Sequence, residues 1–459
     1  MKNKSVYVCS SCGYESAKWA GKCSQCNEWN TFKEQLFIKH TKQTSNFDAK
    51  NNVSGKRIKD VVCDKSKRIY TGISEFDRVV GGGLVRDSVT ILSAPPGAGK
   101  STLSIMVADK LQSKGLTTLY ASGEESASQI KSRINRLGLK NLDDMLIIDN
   151  GNMDFVIDEV IKYDVDFIIL DSIQTFYLNE YLPSRAGNAT QVMECASAIC
   201  DLAKRNDRPR MVFAVGQTVK NDDDLAGSRG LEHLVDTYIR IDGDRDDTLR
   251  VLYAVKNRFG NTGETGFFNM TEKGLESVDN PSEYFMTERT TPAVGTSFTT
   301  IKDGSRAIIL EIESIVSKSF TTYPSRIAET LKRDQLNILI SILEQRANLN
   351  FSDKNVIVKS LGGIKLSDPS NNLAILMAIT SSYKDTPIPI STAFIADVGL
   401  TGELKRVPNT EIRIRELERM GYKKVYIAPG SIKNQKHENI IITETKTIRD
   451  VIVDVFSQN

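Results

Sequence analysis

"VTILSAPPGAGKSTLSIM", residues 89–106, changes character in the middle. The run "SVTIL" (88–92) is apolar, β-branched and of strand length. A helical pattern over Ser101–Lys114 follows, and the turn between them is rich in Gly and Pro. Strand, tight loop and helix in that order make a phosphate loop. Backbone N–H groups and the helix N-terminus cradle phosphate oxygens, a lysine reaches the outer phosphates, and a hydroxyl faces Mg2+. Here Gly97, Gly99, Lys100, Ser101 and Thr102 fit the end of that pattern. The nucleotide-binding segment is therefore Ala94, Pro95, Pro96, Gly97, Ala98, Gly99, Lys100, Ser101 and Thr102, with ATP and Mg2+ as its ligands. One position departs: the first glycine of the pattern is Ala94, whose Cβ restricts φ and close approach.

Outward from the loop, strand-like and helix-like runs alternate across residues 69–285. The runs are "TTLYAS" (117–122), "MLIID" (145–149), "DFIILD" (166–171), "MVFAVG" (211–216) and "TYIRID" (237–242), with a helix over Ala189–Lys204. That alternation predicts an α/β domain, a parallel sheet covered by helices on both faces. Two strands end in acid. Asp171 is expected near Mg2+ beside Ser101, and Glu124, with Glu125 second, as the group that orients or deprotonates water.

Four cysteines, Cys9, Cys12, Cys23 and Cys26, are spaced C-x2-C-x10-C-x2-C. Two such pairs close a tetrahedral Zn2+ site, and a module of residues 1–32 needs that staple. Whether the module contacts nucleic acid or docks on protein stays open. Cys63, Cys195 and Cys200 are scattered and read as ordinary thiols. Residues 33–68 form a polar, Lys-rich linker. Residues 1–70 carry a net +8 and the remainder −6, a basic arm on a nearly neutral body. No apolar run approaches the about 18 residues of a membrane span, and no signal core opens the chain. A cytoplasmic protein without membrane contact is expected.

"AVKNRFGNTGETG" (254–266) lies between strand-like runs at 249–255 and 267–270 and reads as a hairpin tip. Residues two apart in an extended chain point to one side, so Lys256 and Arg258 aim together.

In chain order, the cysteine module, "TGISEFDRVVGGGLV" (71–85), the phosphate loop, "SGEES", "DSIQT", "LEHLVDT" (231–237) and "KNRFG" resemble the RadA/Sms family of bacterial DNA-repair ATPases. The resemblance spans essentially the whole chain. It implies a RecA-type ATPase core and a homo-oligomeric ring, expected to be a hexamer. It implies ATP hydrolysis with single-stranded or branched DNA bound, and branch migration of intermediates made by the RecA recombinase. In such a ring Lys256 and Arg258 would serve a neighbouring subunit's nucleotide. Arg185, Lys220 and Arg229 would lie in loops lining the DNA channel. Ala94, Asp87 in "LVRDSV" and Gln217 in "GQTVK" depart from residues usual in the family.

Residues 286–295 read as a short linker. Residues 296–459 read as a mixed α+β domain resembling the proteolytic domain of Lon, so 286–459 is taken as one Lon-protease-like region. Its pattern predicts a strand over 307–317, a long amphipathic helix over Ser325–Asn350 and helices over 371–383 and 411–420. Ser370 falls near the Lon serine, but the lysine position falls at Glu411, and Asp368 and Asn372 replace turn glycines. A Ser–Lys dyad needs that base. Ser370 is therefore expected to cap the helix at 371, and the region to lack protease activity.

Overall fold

The computed structural model describes residues 5–9, 14–16, 18–25, 28–36, 57–58, 68–205, 207–217, 229–243, 248–433 and 437–457. Two compact units divide the chain, residues 1–277 and 278–459.

The first unit opens with β1 (Ser5–Cys9), β2 (Glu15–Ser16) and β3 (Phe32–Leu36), a three-stranded antiparallel sheet in the order β2-β1-β3. Among the described residues its apolar centre holds Cys9, Cys23 and Phe32, with Tyr7 and Ala20 against them.

The elements that follow are α1 (Ser74–Val79), β4 (Val89–Ala94), α2 (Lys100–Gln112), β5 (Thr118–Ser122), α3 (Ala127–Leu137), β6 (Leu146–Ile148), α4 (Met153–Lys162), β7 (Phe167–Asp171), α5 (Ala189–Ala203), β8 (Met211–Gln217), α6 (Arg229–Leu234), β9 (Thr237–Asp242), β10 (Leu249–Asn257), β11 (Thr265–Thr271) and β12 (Gly274–Ser277). They build a nine-stranded sheet in the order β12-β11-β10-β9-β4-β8-β7-β5-β6. From β6 to β9 the strands run parallel; β10, β11 and β12 extend the sheet antiparallel.

Successive residues of the central strands enter opposite cores. Leu92, Tyr120, Phe167 and Ile169 pack on one face, and Ile91, Leu119, Ile168 and Leu170 on the other. Burial on both faces is why β4 reads as a continuous apolar run, buried at every position. Local chemistry fixes the helix starts. Ser126 and Gln129 form a capping box at α3, and Asn152 Oδ1 accepts from Asp154 N and Phe155 N at α4.

The order of β4, β8 and β7 matters for the site. One strand, β8, separates the phosphate-loop strand from the strand ending in Asp171. All the parallel strands point their C-terminal ends the same way, so Ala94, Ser122, Asp171 and Gln217 share one edge: Ala94 is in register with Gln217, and Ser122 with Asp171.

The second unit contains α7 (Pro281–Tyr284), β13 (Thr296–Asp303), β14 (Arg306–Lys318), β15 (Arg326–Ala328), α8 (Arg333–Ala347), β16 (Lys354–Ser360), α9 (Asn372–Lys384), β17 (Thr392–Ile395), β18 (Asp397–Val398), β19 (Leu404–Lys405), α10 (Thr410–Arg419), β20 (Lys424–Ile427), β21 (Ile441–Glu444) and α11 (Ile448–Phe456). Its main sheet has seven strands, β15-β16-β14-β13-β17-β20-β21.

Two expectations here are corrected. The helix expected over Ser325–Asn350 is a strand and a shorter helix. Ser325 N donates to Asn355 Oδ1 (2.7 Å), Arg326–Ala328 pair with β16, and α8 begins only at Arg333. Sheet pairing wins because β16 would otherwise leave its backbone groups on that side unpaired. Asn348, in the left-handed region at φ 55°, ends α8.

Ser370 does not cap α9. Pro369–Asn371 form a 3-10 turn, and the cap is Asp368, whose side chain accepts from Ser370 N at 3.0 Å. Ser370 itself is fully buried. Its Oγ donates to Thr300 O (3.5 Å) and Asn371 Oδ1 (3.3 Å).

Candidate functional site: the phosphate loop and its carboxylates

Gly99 adopts φ 102° as the cap of α2, and a Cβ there would stand 2.7 Å from Met270 Cε. Both conformation and packing therefore demand glycine. Gly97 is also left-handed, at φ 83°, with open space around its missing Cβ. Ala94 is different. It is the last residue of β4, fully buried and paired in register, and it is not among the positive-φ residues. Its Cβ costs no backbone strain, so this departure is conformationally neutral. The strained departure is Asp87, at φ 65° in the turn before β4.

Lys100 opens α2, and its Nζ donates to Ala94 O (2.8 Å) and Pro95 O (3.2 Å). Burial pulls the ammonium below the usual lysine range, while the fields of Asp171 and Glu124 act to raise it. All three side chains thus converge at the C-terminal edge of the sheet. The two adjacent glutamates part company. Glu124 Oε1 accepts from Ser172 Oγ at 2.8 Å, beside Asp171. Glu125 Oε1 is paired with Arg133 on α3 at 2.5 Å. Ser122 Oγ accepts from both of their amides, Glu124 N at 3.2 Å and Glu125 N at 2.9 Å, which fixes this split.

Behind the carboxylates stands Tyr120, fully buried on β5. Its hydroxyl donates to Asp171 Oδ2. Burial, then Asp171, raises the phenol far above its ordinary range, so it remains a proton donor. The sequence offers no sign of this. A tyrosine in a strand reads as core, and only the neighbouring strand end gives its hydroxyl a task.

Lys256 and Arg258 do point together, at the end of β10. Lys256 Nζ donates to the carbonyls of Glu232 (2.5 Å) and Val235 (2.8 Å), around the end of α6. Burial, then Arg258, lowers its affinity for a proton. Arg258 NH1 pairs with Asp236 Oδ1 at 3.3 Å, with half of its side chain exposed. Asp236 is buried, also holds Lys204 at 2.8 Å, and accepts from Val89 N at 3.1 Å. Both cations therefore sit at the N-terminal edge of β4, opposite the phosphate loop. Behind them, Gly260 packs backbone to backbone on Gly81, where a Cβ would stand 3.0 Å from the facing Cα. Arg68 donates to Phe259 O and to the carbonyls of Val80 and Gly83.

Arg185 is exposed in the loop before α5. Gln191, fully buried, ties that loop down through Leu178 and Ser184. Arg229 begins α6. Lys220 lies outside the described residues, as do Cys12, Cys26 and Cys63. Cys195 and Cys200 are buried on α5, their thiols pushed up by burial to about 12 and about 11. That makes them inert at neutral pH.

In the ribbon, Cys9 and Cys23 are buried, and Gln25 N points at Cys23 Sγ from 3.4 Å. An amide aimed at sulfur suits a thiolate that holds metal.

Around Ser370, Arg413 is fully buried, donates to Thr300 O and pairs with Asp368. Asn372 bonds Asp397 Oδ1 (2.7 Å) and Gln335 (3.0 Å). The cation in this network is a guanidinium, which cannot serve as a base.

The fold and this site define a RecA-like P-loop ATPase, preceded by a zinc-ribbon module and followed by an α/β unit. Residues 7–34 match the family described as a rubredoxin metal binding domain, and residues 57–206 match the AAA domain. The chain is 37% identical over 434 residues to the DNA repair protein RadA of Bacillus subtilis, covering 94% of each chain. It is 38% identical to RadA of Streptococcus pyogenes over 99% of this chain and all of that one. It is 36% identical to RadA of Aquifex aeolicus over 94% and 95%. Among solved structures, an ATPase domain aligns with 47% of this chain and 94% of its own, at 14% identity and a TM-score of 0.41. The chain belongs to the family of the DNA repair protein RadA.

Proposed function

We propose that the protein is a DNA-dependent ATPase motor. It works as a ring, expected to be a hexamer, and drives branch migration of recombination intermediates after strand invasion by a RecA-type recombinase. ATP is held by the segment from Ala94 to Thr102, with Ser101 and Asp171 facing Mg2+. That ion, when bound, neutralises and orients phosphate oxygens. Lys100 balances charge on the outer phosphates, and Glu124 orients the attacking water, since Glu125 is engaged by Arg133. Lys256 and Arg258 complete a neighbouring subunit's site.

The observation that carries this reading is the position of that pair. It lies at the opposite edge of the sheet from Lys100, so it serves no phosphate on its own chain. Cations presented in trans make hydrolysis depend on ring geometry, and DNA in the channel sets that geometry. Arg185, Lys220 and Arg229 are the proposed backbone contacts, meeting phosphate without reading sequence. Cys9, Cys12, Cys23 and Cys26 hold one structural Zn2+. The second unit is not a protease: Ser370 is buried, and among the described residues the cation in its network is Arg413, not a lysine.

Displacement of the invading strand from a D-loop tests the motor. With ATP and Mg2+ the strand is released, and with a non-hydrolysable analogue it is not. Equal release with the analogue would make the protein an ATP-gated clamp instead.

A further inference from the structure

Tyr120 stands behind Asp171, which is proposed to face Mg2+. The two come from neighbouring strands, β5 and β7. The Tyr120 hydroxyl donates to Asp171 Oδ2. It cannot drift, because the ring is fully buried on β5 in the core with Leu92, Phe167 and Phe213.

We propose that Tyr120 is the positioning residue of the divalent-metal site, its hydroxyl proton holding the Asp171 carboxylate in one rotamer. This is the outer-shell role that hydrogen-bonded groups play around metal ligands, where their loss typically costs about 10- to 100-fold in metal affinity. The inference rests on the metal-facing role proposed for Asp171. Glu124, bonded to Ser172, and Lys100, bonded to loop carbonyls, are held by other partners.

Tyr120→Phe removes the hydroxyl and keeps the ring. The test uses full-length, zinc-loaded protein. Binding of Mn2+ to the protein–ADP complex is followed by electron paramagnetic resonance, binding of a fluorescent ADP is measured with no divalent cation added, and ATPase is titrated with Mg2+. The expected result is a loss of Mn2+ affinity of about tenfold with metal-free ADP binding unchanged. The Mg2+ needed for half-maximal turnover should rise by the same factor, with kcat recovered at saturating Mg2+. Unchanged Mn2+ affinity, or a lower kcat that excess Mg2+ does not restore, overturns the proposal. Ser101→Ala and Asp171→Asn separate the two layers. If they weaken Mn2+ binding and Tyr120→Phe does not, the positioning role alone fails; if they too leave it unchanged, the metal site was misassigned. Should the Phe variant be insoluble, Tyr120→Met fills the space without a hydroxyl and carries the same prediction.

Discussion

Mixing two inactive variants decides whether the Lys256–Arg258 pair acts in trans. Arg258 is bound to Asp236, which holds Val89 at the start of β4, while Lys100 lies just beyond Ala94 at its end. Five strand steps at about 3.3 Å put about 16 Å between these ends, well beyond the reach of one arginine side chain. Arg258→Ala should therefore leave nucleotide binding to its own loop intact. Turnover should fall about a thousandfold, the lower end of what an arginine finger supplies. Lys100→Ala should also be inactive, for a cis reason. In randomly mixed rings at equal ratio, about one interface in four joins an intact loop to an intact cation pair, given head-to-tail contacts. Steady-state ATPase of the mixture with single-stranded DNA should recover to about a quarter of wild type if sites fire independently. Size-exclusion chromatography with light scattering must show that mixed rings form. No recovery at any ratio in such rings, or full activity of Arg258→Ala alone, would refute the geometry.

Asp87→Gly relieves a left-handed residue and should raise stability by about 1 kcal/mol, read as a higher midpoint in thermal unfolding; a lower midpoint would mean the side chain contributes more than the strain costs. One Zn2+ per chain is expected by metal analysis. Cys23→Ala should lose it while the ATPase unit keeps its own melting transition, and metal-free wild type that is fully folded would remove the ribbon's staple. Ser370→Ala should cost about 1 kcal/mol through its buried hydrogen bonds and change no peptide cleavage, since none is expected. Casein degradation by the wild type that the variant loses would restore the serine as a nucleophile.

What was legible in the sequence was local. The run from Val89 to Met106 announced strand, loop and helix because a phosphate loop is written in consecutive residues. The cysteine spacing was legible for the same reason. Strand ends were readable too: Asp171 and Glu124 closed apolar runs, and the sheet brought both to the loop. Glu124 and Glu125 are neighbours in sequence; what separates their surroundings is Arg133 on α3, which pairs with Glu125. Relations between distant segments were hidden. Asp236 holding Arg258, Lys204 and Val89 joins three separate stretches. Tyr120 looked like filler because the carboxylate it bonds lies on another strand. The helix expected at Ser325 failed because an amphipathic pattern of Ile327 and Leu331 fits either state, and β16 supplied a partner. The serine was misread as a cap because Asp368, just before it, accepts the amide first.

The central claim is that DNA drives ATP turnover at the Lys100 loop. The direct measurement is ATP hydrolysis by the wild type and by Lys100→Ala, each with and without single-stranded DNA. The wild type should hydrolyse ATP faster with DNA, and the variant should not hydrolyse in either condition. Turnover indifferent to DNA, or DNA-stimulated turnover that survives Lys100→Ala, would contradict the account.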